Sequence, residues 1–222
     1  QYLDFSNWQK QIPKDVIDSQ LLYWKMKTGK YLQPLELPID KTRELVHIFK
    51  ADEVEKVLPI DIFQKVKKFA NEHQIEEKHL FLACFKIVLS KLSGLREINI
   101  GSWIDIREDY DLKGVAGPID NIVLLKDIVE EDDTFIQVLD KIVETDQEAK
   151  ENALIPFDKL VTELKPAIDM GRTALFDVMF NYEEDNFDDD VFSIIDLNRG
   201  FGKFDYHLKI SKQRDRYVLR LV

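Results

Sequence analysis

Apolar positions along the chain switch between two spacings, and the switches mark its elements. Residues 1–28 carry Tyr2, Phe5, Trp8, Leu21, Leu22 and Trp24 among polar residues, which predicts two short helices broken near Pro13. Residues 29–40 read as an extended connector, because Pro34 and Pro38 push their preceding residues out of helical space. From Glu44 to Val57 the character is β, with VHIF followed by a charged stretch. Pro59 suits the first turn of a helix, after which Phe63, Val66, Phe69 and Ala70 recur at helical spacing. A second helix is expected at about 76–93 from the stripe Leu80, Ala83, Cys84, Ile87, Val88 and Leu92, with Gly94 as its stop.

Ile98, Ile100, Ser102 and Ile104 then alternate as a strand. The glycines, proline and charges of 108–118 predict a loop. NIVLLK is a short continuous apolar run of the kind found in sheets covered on both faces. Acidic capping residues open a helix with Phe135, Val138, Ile142 and Ala149 on one side. Pro156-Phe157 starts another short helix. ALFDVMFNYE reads as a strand, and GKFDYHLKISKQRDRYVLRLV as a hairpin. The expected fold class is α/β, a mixed sheet with packed helices.

Composition narrows the function. The 222 residues are 45% hydrophobic and 33% charged, as in an ordinary globular protein. No apolar run approaches the roughly 18 residues of a membrane helix, and the opening QYLDFSNWQKQ lacks the pattern of a signal peptide. A single cysteine, Cys84, excludes an internal disulfide framework and fits a reducing, cytoplasmic setting. The net charge of −11 argues against nucleic-acid binding. Charge is uneven: EEDNFDDD at 183–190 is acidic and reads as a solvated loop, lacking the glycine and final Glu of a calcium loop. The closing residues 203–222 are basic and read as a solvated strand edge.

The chemistry-bearing residues are sparse. There is no CxxC, HExxH, GxSxG or GxGxxG. His47 is expected in a strand, His73 at a helix end, His79 at a helix start and His207 in the last hairpin, each as a surface or helix-end residue. Cys84 is expected to be an inert core thiol.

Six segments, taken in order, carry a resemblance. YLDFSNW matches a YxDFxxW pattern through Tyr2, Asp4, Phe5 and Trp8. YWKMKTGKYLQPLELPID resembles a YW helix followed by an LELPxD crossing. INIGSWIDIR is similar to IVVGTPVAGR, keeping Gly101 and Arg107. AGPIDNIVLLK resembles IGFFVNTLPLR, keeping Gly117, Asn121 and Leu125. ENALIPFDKLV resembles HQDVPFEKLV through Pro156, Phe157, Lys159, Leu160 and Val161, with Asn152 where His or Asn stands. IDMGRTALFDVMFNYE resembles RDxSRNPLFxVMF, keeping Asp169, Arg172, Leu175, Phe176 and Met179.

Together these identify the chain as similar to the C-terminal half of a nonribosomal peptide synthetase condensation domain. The resemblance implies one lobe of a chloramphenicol acetyltransferase-like pseudo-dimer, with 1–40 as crossover helices and connector and 41–222 as the lobe proper. It implies amide-bond formation between thioester and amine substrates held on the phosphopantetheine arms of carrier proteins. The implied partners are the N-terminal lobe, peptidyl or acyl carrier proteins and an adjacent adenylation domain. The family's HHxxxDG motif lies upstream of YxDFxxW, and none of the four histidines here forms it. The fragment is therefore expected to be inactive alone.

The resemblance implies that Asn121 and Arg107, with Asp120 and Pro118, line the substrate tunnel. Arg107 has a structural alternative in an ion pair with Asp105 or Asp109, and Asn121 in a buried amide tying strand to loop. Pro118 and Asp120, in place of bulky apolar residues, put a standard acceptor pocket in doubt, as do Asp105, Gly171, Thr173 and Ala174. The loop 108–118 is expected to be mobile or to pack on another copy. Two other readings remain: a non-catalytic docking platform for carrier or adenylation domains, and a lobe of an epimerisation domain.

Overall fold

The computed structural model describes residues 2–39, 41–107, 112, 114–166, 169–184 and 200–222. The chain runs α1 (Tyr2–Gln11), α2 (Lys14–Thr28), β1 (Val54–Val57), α3 (Ile60–His73), α4 (Glu77–Ser93), β2 (Glu97–Asp105) and β3 (Asp120–Ile128). It continues through α5 (Phe135–Glu151), α6 (Phe157–Leu164), β4 (Val178–Glu184), β5 (Tyr206–Gln213) and β6 (Arg216–Leu221). The acidic residues 185–190 and much of the loop 108–118 lie outside the described residues.

The strands form one mixed sheet in the order β1-β6-β5-β4-β2-β3. The β2–β3 and β5–β6 pairs are antiparallel, whereas β4 lies parallel to both β2 and β5. Helices α3, α4 and α5 cover one face, against β6, β2 and β3 respectively. Period-two alternation sends Ile98, Ile100 and Ile104 toward those helices, all nearly inaccessible to solvent. The opposite face carries Asn99, Gly101 and Trp103 of β2. At Asn99 the connector crosses it, Asn99 Nδ2 donating to Gln33 O at 3.3 Å. Beside it Phe176 fills the space above Gly101, where a Cβ would meet the ring at 2.1 Å. Only glycine lets that ring approach the strand so closely.

Helix ends follow the local sequence. Gly94 closes α4 in the left-handed region at φ 70. The cap of α5 differs from the acidic one expected: Thr134 caps it, in a capping box with Gln137. Asp133 instead binds Lys141 Nζ at 2.6 Å.

Four expectations are corrected. VHIF forms no strand; Phe49 takes φ 55, Lys50 bridges Phe201, and β1 falls in the charged VEKV instead. The ALF of ALFDVMFNYE is not extended, because Leu175 adopts φ 71, and β4 begins at Val178. The basic closing residues are not a sheet edge: β1 caps β6, and Arg220 pairs with Glu55 at 2.6 Å. The apolar stripe on α4 is split. Of its residues Ala83 is buried, and Leu80 and Ile87 are half-buried. Leu82 and Leu89, outside the expected stripe, are buried, whereas Cys84, Val88 and Leu92 of the stripe are exposed. In their place Lys86 is fully buried, paired with Asp127 and donating to Leu125 O at 2.9 Å.

Candidate functional site

Asn121 stands near the start of β3, with its amide turned to the chain around 153–157. Its Nδ2 donates to Ala153 O at 2.9 Å and Ile155 O at 2.5 Å. Its Oδ1 accepts from Ile122 N at 2.9 Å and Phe157 N at 3.2 Å. Two donors and two acceptor sites are the whole capacity of a carboxamide. Arg107 follows β2. Its Nη1 meets Asp105 Oδ2 at 2.9 Å and its Nη2 donates to Gly117 O. Asp105 stands opposite Asp120 in the ladder, so Arg107 offsets a like-charge pair. Pro118 and Asp120 are both exposed beside them.

A second group lies on the sheet face away from α3–α5, and it was not expected from the sequence. The parallel registers Gly101↔Met179 and Met179↔His207 place Trp103, Asn181, His207 and Lys209 on that one face. Trp103 is 47% exposed, a large apolar ring open to solvent. The His207 ring stands edge-on to Trp103 at 6.5 Å and to Phe204 at 5.7 Å. His207 Nε2 lies 2.8 Å from Asn181 Oδ1, with Asn181 buried. A carboxamide oxygen only accepts, so Nε2 carries the proton and Nδ1 the lone pair. Burial, reinforced by the charge of Lys209, lowers the His207 pKa to about 4. At neutral pH the ring is therefore an uncharged acceptor, not a terminal-strand surface residue.

The remaining histidines do different work. His47 lies outside any strand, its Nδ1 accepting from Phe49 N at 3.0 Å. His73, in the last turn of α3, rests on Phe69 with ring centroids 4.2 Å apart. His79 does open α4, but it is buried, and its Nε2 lies 3.0 Å from Asp146. Cys84 is exposed rather than a core thiol.

Glu76, His79 and Asp146 bring possible metal-ligand atoms within 4.8 Å of one another. Lys78 and Lys150 already approach Asp146 Oδ2 at 2.7 and 3.3 Å. Burial opposes ionisation of that carboxyl. The His79 hydrogen bond and the Lys78 charge outweigh it and hold the pKa well below the usual carboxylate range. A cation would have to displace two ammonium groups, so the cluster is an ion-pair network joining α4 to α5. Among the described residues no helix is long and apolar enough to cross a membrane.

Comparison with known proteins decides the family, since the condensation-domain profile matches residues 1–220. The chain belongs to the condensation-domain family. It is 32% identical over 181 residues to bacitracin synthase 3 of Bacillus licheniformis, covering 81% of this chain and 3% of that protein. It is 29% identical over 227 residues to gramicidin S synthase 2 of Brevibacillus brevis, covering all of this chain and 5% of that protein. This condensation-family chain thus spans a small part of these relatives. Its fold matches the X-domain from teicoplanin biosynthesis at TM-score 0.84 and 19% identity, covering 100% of this chain and 53% of that one. A four-domain nonribosomal peptide synthetase bound to AMP and glycine matches at 0.84 and 18%, over 92% of this chain and 17% of that one. The condensation domain of the monacolin K polyketide synthase matches at 0.76 and 16%, over 98% and 54%. The mixed sheet with packed helices is the fold they share.

Proposed function

We propose that this chain is the C-terminal, acceptor-side lobe of a condensation domain in a cytoplasmic multi-domain synthetase. The domain joins two carrier-bound substrates by amide-bond formation between a thioester and an amine. The substrates arrive on phosphopantetheine arms of carrier proteins, with an adenylation domain adjacent. Residues 1–40 serve as crossover and connector, and 41–222 as the lobe proper. Catalysis by an HHxxxDG motif comes from the N-terminal lobe, and the four separated histidines of this chain do not replace it.

The observation that carries the reading is the sheet itself. Helices cover one face, whereas the other presents Trp103 and a neutral, half-buried His207. Coverage of about half of two solved chains, 53% and 54%, supports a lobe that meets another. Amide formation needs an amine held uncharged at a carbonyl, and this face is suited to hold one. Arg107 and Asn121 shape the tunnel wall by fixing the start of β3 and the turn at 153–157, with Pro118 and Asp120 at its rim.

The test is a condensation assay with carrier-bound donor and acceptor. The chain alone should form no amide, and the synthetase that contains it should. Amide formation by the chain alone would sink the lobe reading. A second reading, a non-catalytic docking platform, is favoured by exposed Leu45, Ile48, Met170 and Phe201. A synthetase with an intact HHxxxDG and measurable condensation at this domain would remove it.

A further inference from the structure

We propose that the Trp103–His207 face is the seat of the amine substrate, His207 Nδ1 accepting an N–H of the uncharged amine while Trp103 supports its apolar side chain. This rests on the amide-forming reading above and names the substrate's place within it.

The argument begins from hydrogen-bond capacity. The Nε2–H of His207 is taken by Asn181, which fixes the tautomer. Among the described residues nothing donates to Nδ1. Unlike His79 Nδ1, that atom is not sealed from solvent. It is an oriented acceptor on a face that also exposes Trp103. An anionic ligand would meet its lone pair and be repelled, whereas an N–H donor completes it.

Charge on the face selects the amine's state. Lys209 sits beside His207 and has no ion pair among the described residues, and Arg220 on β6 is paired with Glu55 of β1. Glu183 stands on the same face, opposite Ser211 and farther along the strands than Lys209, and Asp105 and Asp120 lie past Trp103, with Asp105 held by Arg107. The nearest free charge is thus cationic, and it disfavours an ammonium relative to the free amine. The free amine is the nucleophilic form. His207 is here a positioning residue: it orients the N–H and takes no proton. Phe204 backs the ring at 5.7 Å and Phe204 in turn stacks on Phe176 at 5.8 Å, so the imidazole has little freedom to swing away.

The test uses the synthetase that contains this chain. His207→Phe keeps the ring packing and removes the acceptor; His207→Gln returns an acceptor oxygen. The expected result is an increase of about tenfold in KM for the amine substrate in His207→Phe, the scale of one lost hydrogen bond. The KM of the thioester donor should stay unchanged, and His207→Gln should recover part of the loss. Trp103→Ala should raise KM most for amines with large apolar side chains. A second arm uses the chain with leucine methyl ester and its N,N-dimethyl counterpart, which has no N–H as the free base. Nitrogen-15 NMR should shift the Nδ1 resonance of His207 with the first and not with the second.

A wild-type synthetase that forms the amide, with His207→Phe unchanged in amine KM, would overturn the inference and leave the proposed function standing. Equal Nδ1 shifts from both esters, or none from either, would also overturn it. A wild-type synthetase that forms no amide would remove the function reading and this inference with it.

Discussion

Replacing Asn121 by Asp is nearly isosteric, so it isolates hydrogen bonding from packing. The carboxylate keeps the two acceptor bonds from Ile122 N and Phe157 N but loses both donors. It also sets a charged oxygen against Ala153 O and Ile155 O, which Nδ2 reaches at 2.9 and 2.5 Å in the native protein. Two lost hydrogen bonds amount to about 1–3 kcal/mol. Repulsion between a half-buried carboxylate and two carbonyl dipoles raises the expected loss to about 2–4 kcal/mol. At about 2–4 °C per kcal/mol for a chain of this length, the melting point should fall by about 10 °C. Urea unfolding should show a lower midpoint with an unchanged slope. The pH dependence gives a second check. The carbonyls raise the new carboxyl's pKa in the folded state above its unfolded value, so the penalty is full above the folded pKa. It shrinks as pH falls through that value, because the protonated acid donates again. A variant within about 0.5 kcal/mol of wild type at pH 7 would refute the assignment of Asn121 as the tie between β3 and the 153–157 turn.

Lys86→Met should cost about 3–5 kcal/mol by stranding Asp127, and the double variant with Asp127→Leu should recover most of it in the same urea titration. Gly101→Ala should destabilise by about 1–3 kcal/mol, since the Phe176 ring is held between Phe157 and Phe204 and cannot yield freely. Phe176→Leu in the same chain should then be less than additive. His207 binds a proton near pH 4 when folded and near 6.5 when unfolded. The contribution of His207 to stability should therefore fall as pH drops from 6.5 to 4, by about 3 kcal/mol; His207→Phe should lack that part of the pH dependence, while the loss below pH 4 that comes from protonating Asp146 stays. Cys84, exposed on α4, should be alkylated by iodoacetamide at a rate that does not change when the fold is stabilised by osmolyte.

Local signals carried the helices. Pro59 and the 3.6-residue period placed α3, and Gly94 placed the end of α4, because each depends on residues within one or two turns. The misplacements share a cause that a local window does not contain. VHIF has the β-branched composition of a strand, but His47 N bonds Met170 O and Phe49 turns to positive φ, so no ladder forms there. The stripe on α4 is apolar over too wide an arc to say which half is inward. Burial of Lys86 settles that, and its partner Asp127 lies 41 residues away. A buried ion pair separated so far leaves no periodic trace in the sequence.

The same distance hides the candidate site. Arg107 and Asn121 stand in short segments of recognisable wording, so a resemblance reaches them directly, and the structure finds their polar atoms bonded within the chain. His207 and Asn181 become neighbours only because β5 pairs in parallel with β4, 26 residues apart, and Trp103 joins them only because β4 also pairs with β2. The hairpin at the end of the chain was legible, yet its place inside the sheet was not, since nothing local specifies which strand receives it. A histidine in an alternating polar strand reads as solvent-facing until that pairing is known. Once it is, the ring lies beside a tryptophan, with one nitrogen committed and the other open, and its pKa follows from burial rather than from its own segment. The chemistry of this face is therefore a property of strand order, and variants that disturb the β4–β5 register should remove it without touching His207 itself.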